Sequence, residues 1–275
     1  MIAGGVLAGG SYMLLGRRNK DRPHAESRGG PIGSIGSIAA QSQIASYAWR
    51  DRGVAPIGYI KGMALVFARA YCKLKSGRPT ALDMAMADGG YTDKDALAVY
   101  AKMFADAGMS NSAPGADTLR HLFVLLVGLG MRESSGRYCQ GQDASAGNVT
   151  ADAAEAGMFG TSFNSTSVNS PMMDVFQEYD LSRPSGFEYV FAEGVKCSRH
   201  DFLAVGGDTV ARFQWLSKVS PAFAAEIAAV GLRHICRHWG PIVRREVEVI
   251  AACDAMLNQV QIFVDASPDS AGVLL

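Results

Sequence analysis

Residues 118–133, with LFVLLVGLGM at their centre, constrain the fold more than any other stretch of the chain. Their apolar side chains leave no polar stripe at the 3.6-residue period, so a helix made of them must be covered on all sides. Such a helix belongs at the middle of a domain, with other helices packed around it. Candidates for those neighbours are easy to find. IGYIKGMALVFARAYCKL, residues 57–74, repeats apolar residues every three or four positions. Further helices are expected over 41–51, over 92–107, where TDKD offers a capping hydroxyl and acids in the first turn, and over 208–218, 221–238 and 242–263. AGMFGTSFN and FEYVF read as short extended segments. The expected fold class is mainly α with little sheet, in one domain over residues 39–265.

The ends of the chain read differently. Residues 1–38 are expected to form an apolar arm followed by a Gly/Ser-rich linker, RGGPIGSIGS, and residues 266–275 a flexible tail. The apolar run covers roughly 16 residues, short of the ~20 needed to span a bilayer. Its positive charges, Arg17, Arg18 and Lys20, follow the run, whereas a secretory signal places them first. A membrane anchor or atypical export segment is one reading of this run, and a loosely packed arm is the other. Charges in that position favour keeping the remainder in the cytoplasm.

Composition excludes some partners. A chain of 275 residues that is 48% hydrophobic can bury a sizeable core, and its 26 basic and 26 acidic side chains cancel. No global cationic field is left to gather nucleic acid. The five cysteines show neither CxxC spacing nor a His/Cys cluster, so neither a metal site nor a cofactor is expected. Cys139 and Cys197 can be read as a bridge tying the loop after residue 133 to later helices, or as buried free thiols. His234 and His238 are four apart, but no acid motif of the HExxH kind accompanies them. Trp49, Trp215 and Trp239 suit either sugar stacking or the core, and helical patterning favours the core. Ser134 and Ser135 lack the elbow and the His/Asp partners that a nucleophile needs.

Chemistry concentrates where the central helix meets the Gly-rich loop. Cleavage of a glycosidic bond needs a carboxyl group that still holds its proton near neutral pH. Glu133 stands at the helix C-terminus, where unpaired carbonyls and an apolar helix behind it would both raise its pKa, while Arg132 and Arg137 would lower it. The plainer reading of Glu133 and Arg137, four residues apart, is a solvated ion pair worth a few tenths of a kcal/mol.

The order ESSGRYC, an acidic loop, then AEAGMFGTSFNS resembles the goose-type lysozyme and lytic transglycosylase superfamily of peptidoglycan-cleaving enzymes. Those enzymes end a central helix on a Glu-Ser pair and line the sugar cleft with a GLMQ-like segment. Close resemblance extends over about 35 residues, Glu133-Ser134 matching the first feature and Gly157-Met158-Phe159-Gly160 the second. It implies an all-α lysozyme-like domain with a small irregular β element lining a cleft. Glu133 would be the acid and Asp152 the water-holding carboxylate, with Ser134, Gly157, Met158, Phe159, Gly160 and Thr161 binding substrate. Gly160 stands where the family has glutamine, and no carboxylate follows the segment at Phe163 or Asn164. If Asp152 holds a water, hydrolysis with inversion follows, with the carboxyl groups roughly 6.5–9.5 Å apart; without it, Glu133 alone gives an anhydro product. Asp143 and Glu155, the loop's other acids, read as a loop cap and as a residue packed near the cleft rim. The implied partner is peptidoglycan, with chitin as the rival acetamido-sugar polymer and a non-catalytic glycan-binding protein as the alternative class. The implied location is periplasmic, secreted or at the cell envelope.

Overall fold

The computed structural model describes residues 30–141, 150–181 and 186–275. Asp143 and the apolar N-terminal run lie outside the described residues. The described chain is mainly helical. In order it forms α1 (Pro31–Gln41), β1 (Ala48–Trp49), β2 (Gly53–Val54), α2 (Ile57–Lys75), α3 (Pro79–Met84), α4 (Ala96–Val99), α5 (Ala101–Asp106), α6 (Ala116–Ser134), α7 (Ser170–Leu181), α8 (Asp208–Val219), α9 (Pro221–His234), α10 (Gly240–Val243), α11 (Ala251–Ala266) and α12 (Ser270–Leu274).

Helix α6 takes the central place its composition requires. Every residue from Thr118 to Met131 is buried, and α2, α3, α9, α10 and α11 pack around the helix. Where α2 crosses it, the Tyr59 hydroxyl donates to the Val127 carbonyl at 2.8 Å, so the buried phenol is satisfied by the helix it packs on. Charged groups in the core are paired in the same way. Lys73 lies 2.7 Å from Glu178 and bonds the fully buried Glu226, and Arg233 reaches Asp95 at 2.9 Å and the Met84 carbonyl at 2.9 Å.

Several local expectations are corrected. The supposed linker forms α1 from Pro31 onward. Ile32, Ile35 and Ile38 recur every three residues, and burial of Ile35 and Ala39 against α2 outweighs the poor helix propensity of the Gly and Ser between them. The supposed tail forms α12, held by Leu274, which is only 2% exposed. The expected helix over 41–51 gives way to a single turn, Gln43–Ser46, and to the antiparallel pair β1–β2, which turns through Asp51 at φ 60° and buries Trp49. The pattern over 92–107 becomes two short helices, the first capped by Asp95, whose carboxylate accepts from the Leu97 N–H at 2.9 Å. FEYVF is not extended: Glu188–Ala192 is a 3₁₀ turn with Phe187 and Phe191 buried. Helix α9 stops at His234, and the expected 242–263 helix splits into α10 and α11. Helices α3 and α7, too short or too polar to stand out in the sequence, complete the shell. Among the described residues the only sheet is β1–β2, and no helix is long and apolar enough to cross a membrane.

Candidate active site

Glu133 occupies the last turn of α6, half-buried, where the chain leaves the helix through Ser135 in the left-handed conformation at φ 54°. Most carbonyls at this end are occupied. Gly130 accepts from the Gly136 N–H at 3.1 Å and the Ser134 hydroxyl at 3.0 Å, Met131 accepts from the Ser135 N–H at 3.1 Å, and Arg132 accepts from the Arg52 guanidinium on the β1–β2 turn. Unpaired carbonyls therefore do not set the acidity of Glu133. Its carboxyl group is nevertheless pushed up to about 7, first by burial and then by the negative charge of Glu155, against the pull of Arg244 and Arg52. The arginines expected to oppose it are engaged elsewhere: Arg132 bonds Glu246 at 3.3 Å, and Arg137 bonds Asp201 at 2.5 Å.

The AGMFG segment forms the facing wall. It is closed by a reciprocal backbone pair, Ala156 N–H to the Thr161 carbonyl at 3.1 Å and Thr161 N–H to the Ala156 carbonyl at 3.2 Å. Gly157 donates to the Gln140 carbonyl at 3.1 Å, tying the turn to the loop that follows α6. From below, the Trp239 indole N–H donates to the Phe159 carbonyl at 2.7 Å, and His238 Nε2 donates to the Gly160 carbonyl at 3.3 Å. Burial lowers the pKa of His238, which favours the neutral ring. Gly157 has to be glycine: its φ is 74°, and a Cβ there would lie 2.1 Å from the Ser217 carbonyl oxygen.

Between these walls lies a cavity of about 330 Å³, lined by Glu133, Glu155, Gln140 and the glycines Gly141, Gly157 and Gly160. Three of the expected site residues, Glu133, Gly157 and Gly160, meet there. Others do not. Met158 and Phe159 are fully buried and Thr161 is 2% exposed, so their side chains serve the core, and substrate would meet only glycine and backbone along this turn. Ser134 is buried, with its hydroxyl turned back on the helix. Asp152 is exposed and is not among the lining residues; its backbone carbonyl receives the Asn164 N–H at 2.9 Å.

Among the described residues, the carboxylate that shares the cavity with Glu133 is Glu155, which the sequence places at the rim. A Cβ on Gly160 would come within 3.3 Å of Glu155 Oε2, so the carboxyl group lies against the Gly160 backbone. The signal for it was the pairing of an acid with a glycine five residues on, which only the turn geometry makes meaningful. Arg52 and Arg244 were also missed, because they reach the site from β1–β2 and from the end of α10.

Cys139, at the start of the loop, is joined to Cys197 with the Cα atoms 6.1 Å apart, while Cys72, Cys236 and Cys253 are buried free thiols. His234 bonds Asp83 at 2.7 Å, on a different element from His238, and among the described residues no group of three His, Cys, Asp or Glu could hold a metal ion. Trp49 and Trp239 are core residues. Trp215 is 38% exposed, with the Arg212 guanidinium 4.6 Å above its ring. Comparison of the chain with protein-family models, with curated proteins and with solved structures returns no match.

Proposed function

We propose that the protein is a lysozyme-like glycosidase that cuts the β-1,4 bonds of peptidoglycan, with Glu133 as the general acid. One observation carries this reading: a glutamate raised to about 7 stands at the end of the central helix and opens onto a polar cavity. A carboxyl group in that condition keeps a large fraction of its proton at neutral pH and can still release it, which is what protonation of a glycosidic oxygen requires. The local resemblance around Glu133-Ser134 and Gly157–Gly160 supports peptidoglycan as the substrate class. The Cys139–Cys197 bridge is in keeping with an exported protein, because disulfides persist in oxidising compartments.

Burial and Glu155 together hold the proton on Glu133, so the acid form dominates below about pH 7 and turnover falls as pH rises through that value. The reading is tested by following turbidity loss of purified cell walls with wild type and Glu133→Gln. Glutamine keeps the shape and donates no proton, so the rate is expected to drop by about 10²-fold or more. Equal rates from the two proteins would sink the enzymatic reading.

A further inference from the structure

Two carboxyl groups reach one cavity from unrelated parts of the chain, Glu133 from the end of α6 and Glu155 from the segment before the Ala156–Thr161 bridge. They sense each other: the charge of Glu155 is the largest influence on Glu133 after burial. Gly160 gives Glu155 its place, since even a methyl group at that position would press on the carboxylate oxygen at 3.3 Å. Asp152 is turned to solvent and takes no part in lining the cavity. A single acid suffices for a cleavage in which the sugar's own hydroxyl closes an anhydro ring. A second carboxylate in the same cavity is what attack by water needs.

We propose that Glu155, rather than Asp152, is the second catalytic carboxylate and acts as the general base that makes the reaction a hydrolysis. The inference rests on the reading of Glu133 as the acid. In the step, the water oxygen bonds to the anomeric carbon while one of its protons passes to Glu155. The bond from that carbon to the glycosidic oxygen breaks, its electron pair stays with the oxygen, and the oxygen takes the proton of Glu133. The pair enters with one proton and leaves with one proton, now on the other carboxyl group, and exchange with solvent restores the starting state. Among the described residues the other charges acting on Glu133 are Arg52, Arg244 and Glu246, and none of them lines the cavity.

The test uses the full chain with purified cell-wall sacculi and with an N-acetylglucosamine hexamer, and mass spectrometry of the products in heavy-oxygen water. Wild type is expected to release reducing ends that carry the label. Glu155→Gln should lose about 10²-fold or more in rate and Asp152→Asn should stay within about threefold of wild type. Glu155→Ala should recover cleavage when azide, an anionic nucleophile that needs no base, is added, yielding a glycosyl azide. That recovery also shows that the variant is folded. Anhydro ends from wild type, or Glu155→Gln near wild-type rate while Glu133→Gln is inactive, would overturn the assignment of Glu155. Inactivity of wild type on both substrates, or full activity of Glu133→Gln, would instead remove the glycosidase reading beneath it.

Discussion

A glutamate that holds its proton up to about pH 7 is useful to chemistry and unfavourable to the fold, and Glu133 should show both sides. In the unfolded chain such a group ionises near 4.5, so between about 4.5 and 7 the folded protein binds more protons than the unfolded one. The stability from that difference is fully present below about 4.5 and is lost as pH rises through about 7. Glu188 adds in the same sense: burial pushes it up to about 7, even though it accepts from Ser220 at 2.6 Å and from the Ala222 N–H at 3.3 Å. Removing the charge at position 133 should relieve part of the loss. Glu133→Gln is expected to be more stable than wild type at pH 8 by about 1–3 kcal/mol and to gain nothing at pH 4, as read from urea unfolding at the two pH values. A variant that is no more stable at pH 8 would show that the group is not held against its ionisation. Glu133 is legible in the sequence because a carboxyl group ending a long apolar stretch is desolvated by the helix behind it. Burial, the largest cause of its raised pKa, is legible for the same reason, whereas the charges of Glu155, Arg52 and Arg244 are not, since they arrive from elsewhere.

At the scale of elements, legibility follows the strength of the local pattern. Helices α2 and α6 are readable because sixteen or more residues obey one period or saturate it, whereas α1 is hidden by glycines and serines that take helical form only because Ile35 and Ala39 have α2 to pack on. The AGMFG segment lies between these cases. Its two glycines announce a turn, but which side chains face the cavity depends on the pins below it, the Trp239 indole and the His238 ring, and these send Met158 and Phe159 into the core. This element has a sharp test. Gly157→Ala puts a methyl group 2.1 Å from the Ser217 carbonyl in a left-handed backbone, and should cost about 2–4 kcal/mol from the conformational and overpacking contributions together. Denaturant unfolding measures the loss. A cost under about 0.5 kcal/mol, the range of an ordinary surface change, would mean that the turn can yield at that position.

Across the whole molecule, the Cys139–Cys197 bridge is a covalent long-range tie on the loop that follows α6, with its two cysteines 58 residues apart. Closing a loop of that length restricts the unfolded chain by about 4 kcal/mol in the chain-entropy picture, with 2–4 kcal/mol typical of measured bridges. Replacing both cysteines by serine should therefore lower the melting temperature by several degrees, and dithiothreitol should do the same to wild type. A melting temperature unchanged by either treatment would show that the thiols are not joined. The sequence by itself determined that a helix apolar on nearly every side must lie at the centre of a mainly helical domain, and that this helix ends on a glutamate beside a glycine-rich turn. Both follow from local pattern and from the demand that apolar surface be covered. Only the tertiary structure decided that Glu155 and not Asp152 shares the cavity with Glu133, that the Gly130, Met131 and Arg132 carbonyls of α6 are already partnered, and that the segment taken for a linker is a helix. Those outcomes depend on contacts between residues far apart in the chain, where burial and charge are set by packing that no local window contains.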